Sequence, residues 1–442
     1  MTYGVNPEWK THGTKDVNSE NDGLADVLIG GWVQQIRDKG RLLFLTVRDQ
    51  DGVCQVTLHE KRVPTEVWQL TKELTLESVV SISGTVKADP RSKLGAELIP
   101  SAIQVHSLAA PKFPIDITKK KTQMDIDTVF KFRELSIRDP EVIAIMELKN
   151  ITANAIRTFF IKNAFTEIFT PFILTASTEG GAEQFTLDYF GHPAVLAQSC
   201  QFYKQAALSC HEKVFGIIPS WRAEKSHTPK HITEFWQIEN EIAFATNNEI
   251  MQVQEDLVIF VLKTINERGA GQLEKLDRTI PIPSKPFKKI PFYEAKSIVI
   301  DLGVEEDPQE DFGAPGETAI SKAFQEPFFI TEFPTKLRGM YYAVNPKNQE
   351  ITESSDLMAP EGFGELSSGG QRVFNYKTLI QRIKQKGYDI NDFEWYLRMF
   401  KFGMPPHAGY GLGFERMLRW IGNLSHIRET CMFPRTPDIF QP

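Results

Sequence analysis

The chain has 442 residues, of which 41% are hydrophobic and 24% are charged, and its formal net charge is -7. This composition excludes a disordered or fibrous chain and is typical of a globular enzyme. The length exceeds the roughly 250–300 residues at which a single hydrophobic core stops growing, so we expect two domains, or one large domain with a small appendage. Because the net charge is negative, a nucleic-acid partner would have to meet a local basic patch.

The sequence indicates no membrane segment, zinc site or disulfide framework. Residues 1–20 are polar and no apolar run of about 20 residues occurs, so we expect a cytoplasmic protein without a membrane partner. The cysteines lie far apart, with no CxxC pair, at Cys54, Cys200, Cys210 and Cys431. That spacing argues against a zinc site and against disulfides.

Residues 24–110 predict a small β-barrel. Five short segments rich in Val, Ile, Thr and Phe are separated by turn signals such as DQDG and DPRSKLG. Five such strands are typical of the OB-fold, a barrel that commonly binds oligonucleotides. We expect residues 1–23 to be an N-terminal extension. Residues 111–130, which contain prolines and three consecutive lysines, are expected to be a hinge or linker.

The pattern changes to that of an α+β domain after Pro140. Apolar residues at helical spacing predict a long amphipathic helix that ends at Asn163, with one face formed by Ile145, Leu148, Ala155 and Phe159. The next segment, FTEIFTPFIL, is strand-like but contains Pro171, which cannot donate a ladder hydrogen bond and favours an edge or interface position. Strand patterns then dominate to about residue 245, without βαβ alternation or a phosphate-binding glycine fingerprint.

The segment SWRAEKSHTPKHITEFWQIENEIAF, residues 220–244, predicts a charged β-hairpin. In a strand over residues 234–244, the period of two sends Ile238, Ile242 and Phe244 to one face. The opposite face would then carry Gln237, Glu239 and Glu241. The preceding strand would carry Arg222 and Glu224 on one face. Such a hairpin could form the floor of a cleft for a polyanion and a zwitterion, or it could be a solvated surface with ion pairs.

Near the C-terminus, glycines at positions 409, 411 and 413 lead into a predicted helix that carries Glu415 and Arg416 in its first turn. Glycines let a ligand approach the backbone, and a helix N-terminus with an arginine favours phosphate. A glycine-rich helix start is weak by itself, but it occurs in the same chain as the charged hairpin.

Together these segments resemble the class II aminoacyl-tRNA synthetases. The hairpin, near residues 214–244, resembles motif 2 of that family, residues 409–421 resemble motif 3, and residues 164–174 resemble motif 1. The barrel and the segments TEGGAEQF, QSCQFYKQ and GELSSGGQR narrow the resemblance to the aspartyl/asparaginyl branch. It covers residues 24–442 and implies that residues 131–442 form a catalytic domain built on an antiparallel sheet flanked by helices.

The resemblance implies an enzyme that activates an amino acid with ATP and Mg²⁺ and transfers it to tRNA. Adenylate formation needs positioning and charge neutralisation rather than a protein nucleophile. Arg222 would grip the α-phosphate and the carboxylate with its planar fork, and Arg416 would hold the far end of ATP. The other residues implied at ATP are Glu224, Lys230, His231, Glu365 and Gly413. Glu365 and Ser368 would supply hard oxygen ligands to magnesium.

Further roles follow from the same resemblance. Glu179 would bind the α-ammonium of the amino acid, and the residues implied around the rest of that substrate are Gln201, Lys204, Glu239, Ser368 and Arg372. In the barrel, Phe44 would stack on an anticodon base while Gln55 and Glu97 hydrogen-bond to bases, although Phe44 could instead be barrel core. Motif 1 implies a homodimer with Pro171 at its interface.

The substrate is expected to be asparagine, with aspartate as the alternative. Lys204, in QFYK, lies where aspartyl enzymes keep a lysine for the substrate carboxylate. Against aspartate, Glu239 replaces their usual aspartate, and EFWQIENEIAF, DLMAPEGFGE, EWYLRMFKFG and GYGLGFERMLRWI resemble the asparaginyl group. Glu239 could accept a hydrogen bond from a carboxamide, would repel a carboxylate, and could pair with Lys204.

Two residues depart from the family pattern, and other functions remain open. Trp221 stands where phenylalanine is usual, and Lys230 stands where arginine is usual, so ATP affinity or loop closure could differ. The alternatives are an aspartyl enzyme with or without relaxed tRNA choice, a tRNA-independent enzyme that makes asparagine, a non-catalytic paralogue, and a specialised second copy. The presence of Arg222, Glu365 and Arg416 argues against the non-catalytic paralogue.

Overall fold

The computed structural model describes residues 4–92, 95–116, 124–175, 183–225 and 228–441. The chain divides into two compact units, Met1–Asp116 and Ile117–Pro442. In the described ranges no helix is long and apolar enough to cross a membrane.

The first unit is a closed five-stranded barrel, as the sequence predicts. Its strands are β1 (Val27–Asp38), β2 (Leu42–Asp49), β3 (Gly52–His59), β4 (Val79–Ala88) and β5 (Ala96–Ser107), in the order β1-β2-β3-β5-β4. Alternate residues of β2, such as Leu43 and Leu45, point into the core. A helix that the strand pattern does not predict, α1 (Thr65–Glu73), lies between β3 and β4. Short 3₁₀ helices at Thr14–Asp16 and Ser19–Asn21 precede the barrel.

The second unit is built on an eight-stranded, mostly antiparallel sheet with the strand order β12-β13-β14-β15-β16-β11-β10-β6. These strands are β6 (Thr166–Glu167), β10 (Lys213–Trp221), β11 (Glu234–Ala243), β12 (Lys288–Pro291), β13 (Phe328–Thr331), β14 (Ser354–Ala359), β15 (Gly364–Gln371) and β16 (His407–Gly413). A separate three-stranded sheet has the order β7-β9-β8 and contains β7 (Ile173–Leu174), β8 (Thr186–Tyr189) and β9 (His192–Leu196). The α+β prediction is therefore confirmed.

The second unit also contains helices. They are α2 (Ile126–Lys131), α3 (Arg133–Ser136), α4 (Pro140–Lys162), α5 (Gln201–Ala207), α6 (Asn247–Arg268), α7 (Ala270–Lys275), α8 (Phe292–Asp301), α9 (Ala314–Ala323), α10 (Tyr376–Gln385), α11 (Glu394–Lys401) and α12 (Phe414–Ile421), with 3₁₀ turns at Thr335–Leu337, Ile390–Phe393 and Ile427–Thr430. Of these helices, α4, α5, α6, α8, α9 and α12 contact the sheet. The predicted apolar face of α4 is buried, and Leu148 packs in the same core as Val258 of α6. Asp139 caps α4 by accepting hydrogen bonds from Glu141 N and Val142 N.

Two predictions about the hairpin are wrong in detail. β11 ends at Ala243, and Phe244 is exposed with φ +60°, so it does not share a buried face with Ile238 and Ile242. β10 ends at Trp221, so Arg222 and Glu224 lie in the connection after the strand rather than on one of its faces. The period-two pattern extends beyond the strand ends in sequence, whereas the paired register runs from Lys213 and Ile242 to Trp221 and Glu234.

Candidate active site

A cleft of about 400 Å³ lies over β11, β15 and β16 and brings together most of the predicted site residues. The predicted residues that line it are Gln201, Arg222, Glu224, Lys230, His231, Glu239, Glu365, Ser368, Arg372, Gly413 and Arg416. Lys204 is buried beside Glu239 without lining the cleft. Glu179 lies outside the described residues.

Four buried charges form the base of the amino-acid end of this cleft. Lys204 Nζ lies 2.7 Å from Glu239 Oε2 and 3.3 Å from Glu241 Oε2. Arg372 Nε donates to Glu241 Oε1 at 2.9 Å. Ser199 Oγ donates to the other oxygen of Glu239 at 2.9 Å. Two cations therefore face two carboxylates, and the cluster is neutral.

The pKa shifts in this cluster reflect the pairing. Burial lowers the pKa of Lys204, but the charges of Glu239 and Glu241 outweigh burial and raise it above the usual lysine value. Burial raises the pKa of Glu241, but Arg372 and Lys204 outweigh burial and hold it below the usual range. Lys204 and Glu241 are therefore both charged at neutral pH. The sequence places Glu241 on this face but does not identify it as a partner of both cations.

The buried side-chain nitrogens at the cleft that have no hydrogen-bond partner within the described ranges include two beside the charge cluster. These two are the side-chain nitrogen of Gln201, Nε2, and one terminal nitrogen of Arg372, Nη1. Both residues line the cleft and are buried. Because a buried donor without an acceptor is costly, these groups are suited to an oxygen atom of a bound ligand.

Cations and carboxylates also alternate at the other end of the cleft. Arg416 Nη1 lies 3.1 Å from Glu365 Oε1, and Lys230 Nζ lies 3.0 Å from Glu317 Oε2. Burial raises the pKa of Glu365, but the charges of Arg416, Arg338 and Arg222 outweigh burial and lower it. The Arg222 guanidinium lies over the Phe235 ring, 5.4 Å from its centroid. Glu317, which the sequence does not single out, thus holds the Lys230 ammonium.

The predicted magnesium ligands lie beside a third oxygen donor, Asp356. β14 and β15 pair Asp356 with Ser368, and Arg338 contacts both, with Nη2 2.7 Å from Asp356 Oδ2 and Nη1 3.1 Å from Ser368 Oγ. Burial and the charge of Glu365 raise the pKa of Asp356 to about 7 even though Arg338 lowers it. Asp356 Oδ1 is buried without a hydrogen-bond partner among the described residues.

Two carboxylates and a hydroxyl are hard oxygen donors, so Asp356, Glu365 and Ser368 fit magnesium. No group of three His, Cys, Asp or Glu side chains could hold a metal ion in the part of the chain that the structure describes. The ion would therefore need further oxygens, and the phosphates of ATP are of the right kind.

The glycines at 409 and 411 lie within β16 and make room for protein carboxylates. A Cβ at Gly409 would lie 2.2 Å from Glu241 Oε2, and one at Gly411 would lie 3.1 Å from Glu239 Oε2. Gly409 is therefore needed by the buried charge cluster, whereas the sequence predicts close approach of a ligand to the backbone. Gly413 lines the cleft and precedes α12, whose first turn carries Arg416 as predicted.

In the barrel, the three predicted anticodon residues lie on neighbouring strands. Phe44 is half-buried between the buried Leu43 and Leu45 and is absent from the barrel core, which disfavours the alternative that Phe44 is core. Gln55 Nε2 donates to Glu97 Oε2 at 3.2 Å, and Thr57, opposite Phe44 in the ladder, also donates to Glu97. A half-buried aromatic ring on a strand next to amide and carboxylate groups is suited to unstacked bases.

A five-stranded barrel and a mostly antiparallel sheet with motifs 1, 2 and 3 define a class of enzyme, the class II aminoacyl-tRNA synthetases. Residues 125–437 match the family described as tRNA synthetases class II (D, K and N), and residues 27–106 match the OB-fold nucleic acid binding domain. The chain belongs to this family, within the asparaginyl and aspartyl ligases.

Similar proteins carry both specificities. The chain is 38% identical to the asparagine–tRNA ligase of Thermococcus gammatolerans over 97% of this chain and 98% of the relative. It is 39% identical to the aspartate–tRNA(Asp/Asn) ligase of Methanopyrus kandleri over 97% of this chain and 99% of the relative. The crystal structure of asparaginyl-tRNA synthetase from Pyrococcus horikoshii complexed with asparaginyl-adenylate matches with a TM-score of 0.94 at 36% identity, over 98% of this chain and 100% of that one.

Proposed function

We propose that this enzyme activates asparagine with ATP and transfers it to the 3′ end of tRNA(Asn). The observation that carries the proposal is the pairing of Lys204 with Glu239 and Glu241, which leaves no uncompensated cation in the buried cluster with Arg372. A neutral carboxamide adds no charge to that cluster. The carboxylate of aspartate would add a buried negative charge without a free counter-ion, which is costly.

The donors and acceptors at the base of the cleft are suited to both ends of a carboxamide. Arg372 Nη1 and Gln201 Nε2, which have no hydrogen-bond partner in the part of the chain that the structure describes, are donors for its oxygen. Glu239 is an acceptor for its NH₂ group, because a carboxylate offers about four lone-pair sites and Glu239 accepts from Ser199 and Lys204. An aspartate carboxylate would instead meet Glu239 as a like charge.

In the proposed reaction, a carboxylate oxygen of asparagine attacks the α-phosphorus of ATP and the bond to the β-phosphate oxygen breaks, releasing pyrophosphate. A hydroxyl of the terminal tRNA ribose then attacks the carbonyl carbon, and AMP leaves. Arg222 would neutralise charge at the α-phosphate and orient the carboxylate, and Arg416 would hold the terminal phosphates. Magnesium bound by Asp356, Glu365 and Ser368 would neutralise phosphate charge. Glu179 would hold the α-ammonium.

Aspartate is the second candidate substrate, with or without relaxed tRNA choice. Lys204 favours it, because a lysine that turned from Glu239 to the substrate would form a two-cation clamp with Arg372. The similarity to an aspartate–tRNA(Asp/Asn) ligase supports the same candidate.

Two partners complete the proposal. The barrel would bind the anticodon through Phe44, Gln55 and Glu97. The chain would form a homodimer through motif 1, because exposed apolar residues surround Pro171, including Phe169 at 87% exposure and the half-exposed Phe172 and Ile173. Exposed apolar area of this kind is typical of an interface.

Aminoacylation tests the proposal directly. Purified tRNA(Asn) and tRNA(Asp) should each be offered with radiolabelled asparagine and aspartate. We expect asparagine on tRNA(Asn) to be the favoured product. Aspartate on tRNA(Asp) alone would identify a discriminating aspartyl enzyme, and aspartate on both tRNAs would identify a non-discriminating one.

A further inference from the structure

Lys230 lies in the connection between β10 and β11, and its ion pair with Glu317 joins this connection to α9 beside the cleft. Lys230 lines the cleft, whereas Glu317 does not. Their charged atoms are 3.0 Å apart and both side chains are largely buried, at 13% and 20% exposure. Lys230 is therefore between the cleft and the Glu317 carboxylate.

This pair lies next to the pair of Arg416 and Glu365. A Cβ at Gly364 would lie 2.7 Å from Glu317 Oε2 and 2.8 Å from Lys230 Nζ, so the Lys230–Glu317 pair packs on the Gly364 backbone. The next residue is Glu365, which binds Arg416. A phosphate held by Arg416 would therefore lie near the Lys230 ammonium and would compete with Glu317 for it.

Glu317 is fixed by its helix. Glu306 holds the start of α9 by accepting from Gly313 N at 2.8 Å, and Lys296 binds Glu306 at 2.6 Å. Farther along α9, Ser321 Oγ accepts from Gly364 N at 3.1 Å. Because α9 is anchored at both ends, a Lys230 ammonium that turns to a phosphate must leave Glu317 behind.

We propose that Glu317 is a positioning residue that competes with ATP for Lys230 and thereby lowers the affinity of the enzyme for ATP. This inference rests on the proposed ATP-dependent function. Lysine offers one ammonium, whereas the arginine usual at this position has a fork that can contact two anions at once. Competition for Lys230 would also favour release of pyrophosphate, because Glu317 can take the ammonium back.

The test is ATP–pyrophosphate exchange by Glu317→Gln, Lys230→Met and the double variant. We expect Glu317→Gln to lower KM for ATP roughly three- to ten-fold, with KM for the amino acid changed less than about two-fold. In the Lys230→Met background the same substitution should leave KM for ATP nearly unchanged. Glu310→Gln removes an exposed carboxylate from the loop before α9 and is the matched control.

A KM for ATP that is unchanged or raised in Glu317→Gln, or lowered equally without Lys230, would overturn the inference. A purely structural role would not tighten ATP binding. Calorimetric titration of each variant with a non-hydrolysable ATP analogue measures the same effect without turnover. If wild-type enzyme bound ATP but exchanged pyrophosphate with neither amino acid, the proposed function would be contradicted. The effect of Glu317 on ATP affinity could still be measured by calorimetric titration.

Discussion

Replacing Lys204 by methionine removes a buried charge while keeping a chain of similar length. Lys204 Nζ contacts Glu239 Oε2, Glu241 Oε2 and the carbonyl of Tyr410, at 2.7, 3.3 and 3.1 Å, and the side chain is only 1% exposed. The substitution leaves two buried glutamates facing Arg372 alone. Breaking a buried ion pair in this way costs about 3–5 kcal/mol, so we expect the free energy of unfolding to fall by about that amount.

The same change should lower activity with both amino acids. If asparagine is the substrate, Lys204 acts mainly by neutralising and orienting Glu239. The loss of kcat/KM in pyrophosphate exchange should then correspond to about 2–5 kcal/mol of transition-state stabilisation. The ratio of kcat/KM for asparagine to kcat/KM for aspartate should change by less than about ten-fold. Specificity is a difference of affinities, so both amino acids must be measured on both proteins.

Urea unfolding and ATP–pyrophosphate exchange measure the two effects separately. Lys263→Met, which removes an exposed lysine from α6, is the matched control and should change neither. A variant that loses aspartate activity at least ten-fold more than asparagine activity would contradict the neutralising role of Lys204, because Lys204 would then bind the substrate carboxylate. An unchanged free energy of unfolding would contradict the assigned role of the buried pair.

Three further predictions concern specificity, the anticodon and the dimer. Glu239→Gln leaves Lys204 and Arg372 with one carboxylate fewer. The ratio of kcat/KM for aspartate to kcat/KM for asparagine in pyrophosphate exchange should therefore rise by at least about ten-fold. A fall in this ratio would contradict the proposed role of the buried charges. Phe44→Ala should weaken tRNA charging by about 1–3 kcal/mol and leave exchange unchanged, and equal losses in both assays would assign Phe44 to the core. Pro171→Gly should weaken both the dimer and activity, and sedimentation of the wild type as a species near 50.3 kDa at micromolar concentration would contradict a homodimer.

The sequence was sufficient for features that depend on local periodicity. The alternation around Leu43 and Leu45 predicts β2, and the helical spacing of Ile145 and Leu148 predicts α4. The helix α1 is not predicted, because its sequence has no apolar stripe comparable to that of α4. In the structure the buried residues of α1 are Val67 and Thr71. Local patterns therefore describe the barrel strands better than the segment between them.

The pairing of charges in the site depends on residues that are distant in sequence. The period of two puts Glu239 and Glu241 on one face, but their partners come from α5 and from Arg372, the residue after β15. Asp356 has no local signal, because only the β14–β15 ladder places it opposite Ser368. Whether the pocket carries a net charge can therefore be judged only from the three-dimensional structure.

We propose that the neutral cluster around Lys204 selects asparagine. The most direct test is ATP–pyrophosphate exchange by the wild-type enzyme with asparagine and aspartate, each with and without tRNA. We expect kcat/KM to be higher for asparagine. An efficiency at least ten times higher for aspartate, a difference of about 1.4 kcal/mol, would contradict the claim and would assign Lys204 to the substrate carboxylate.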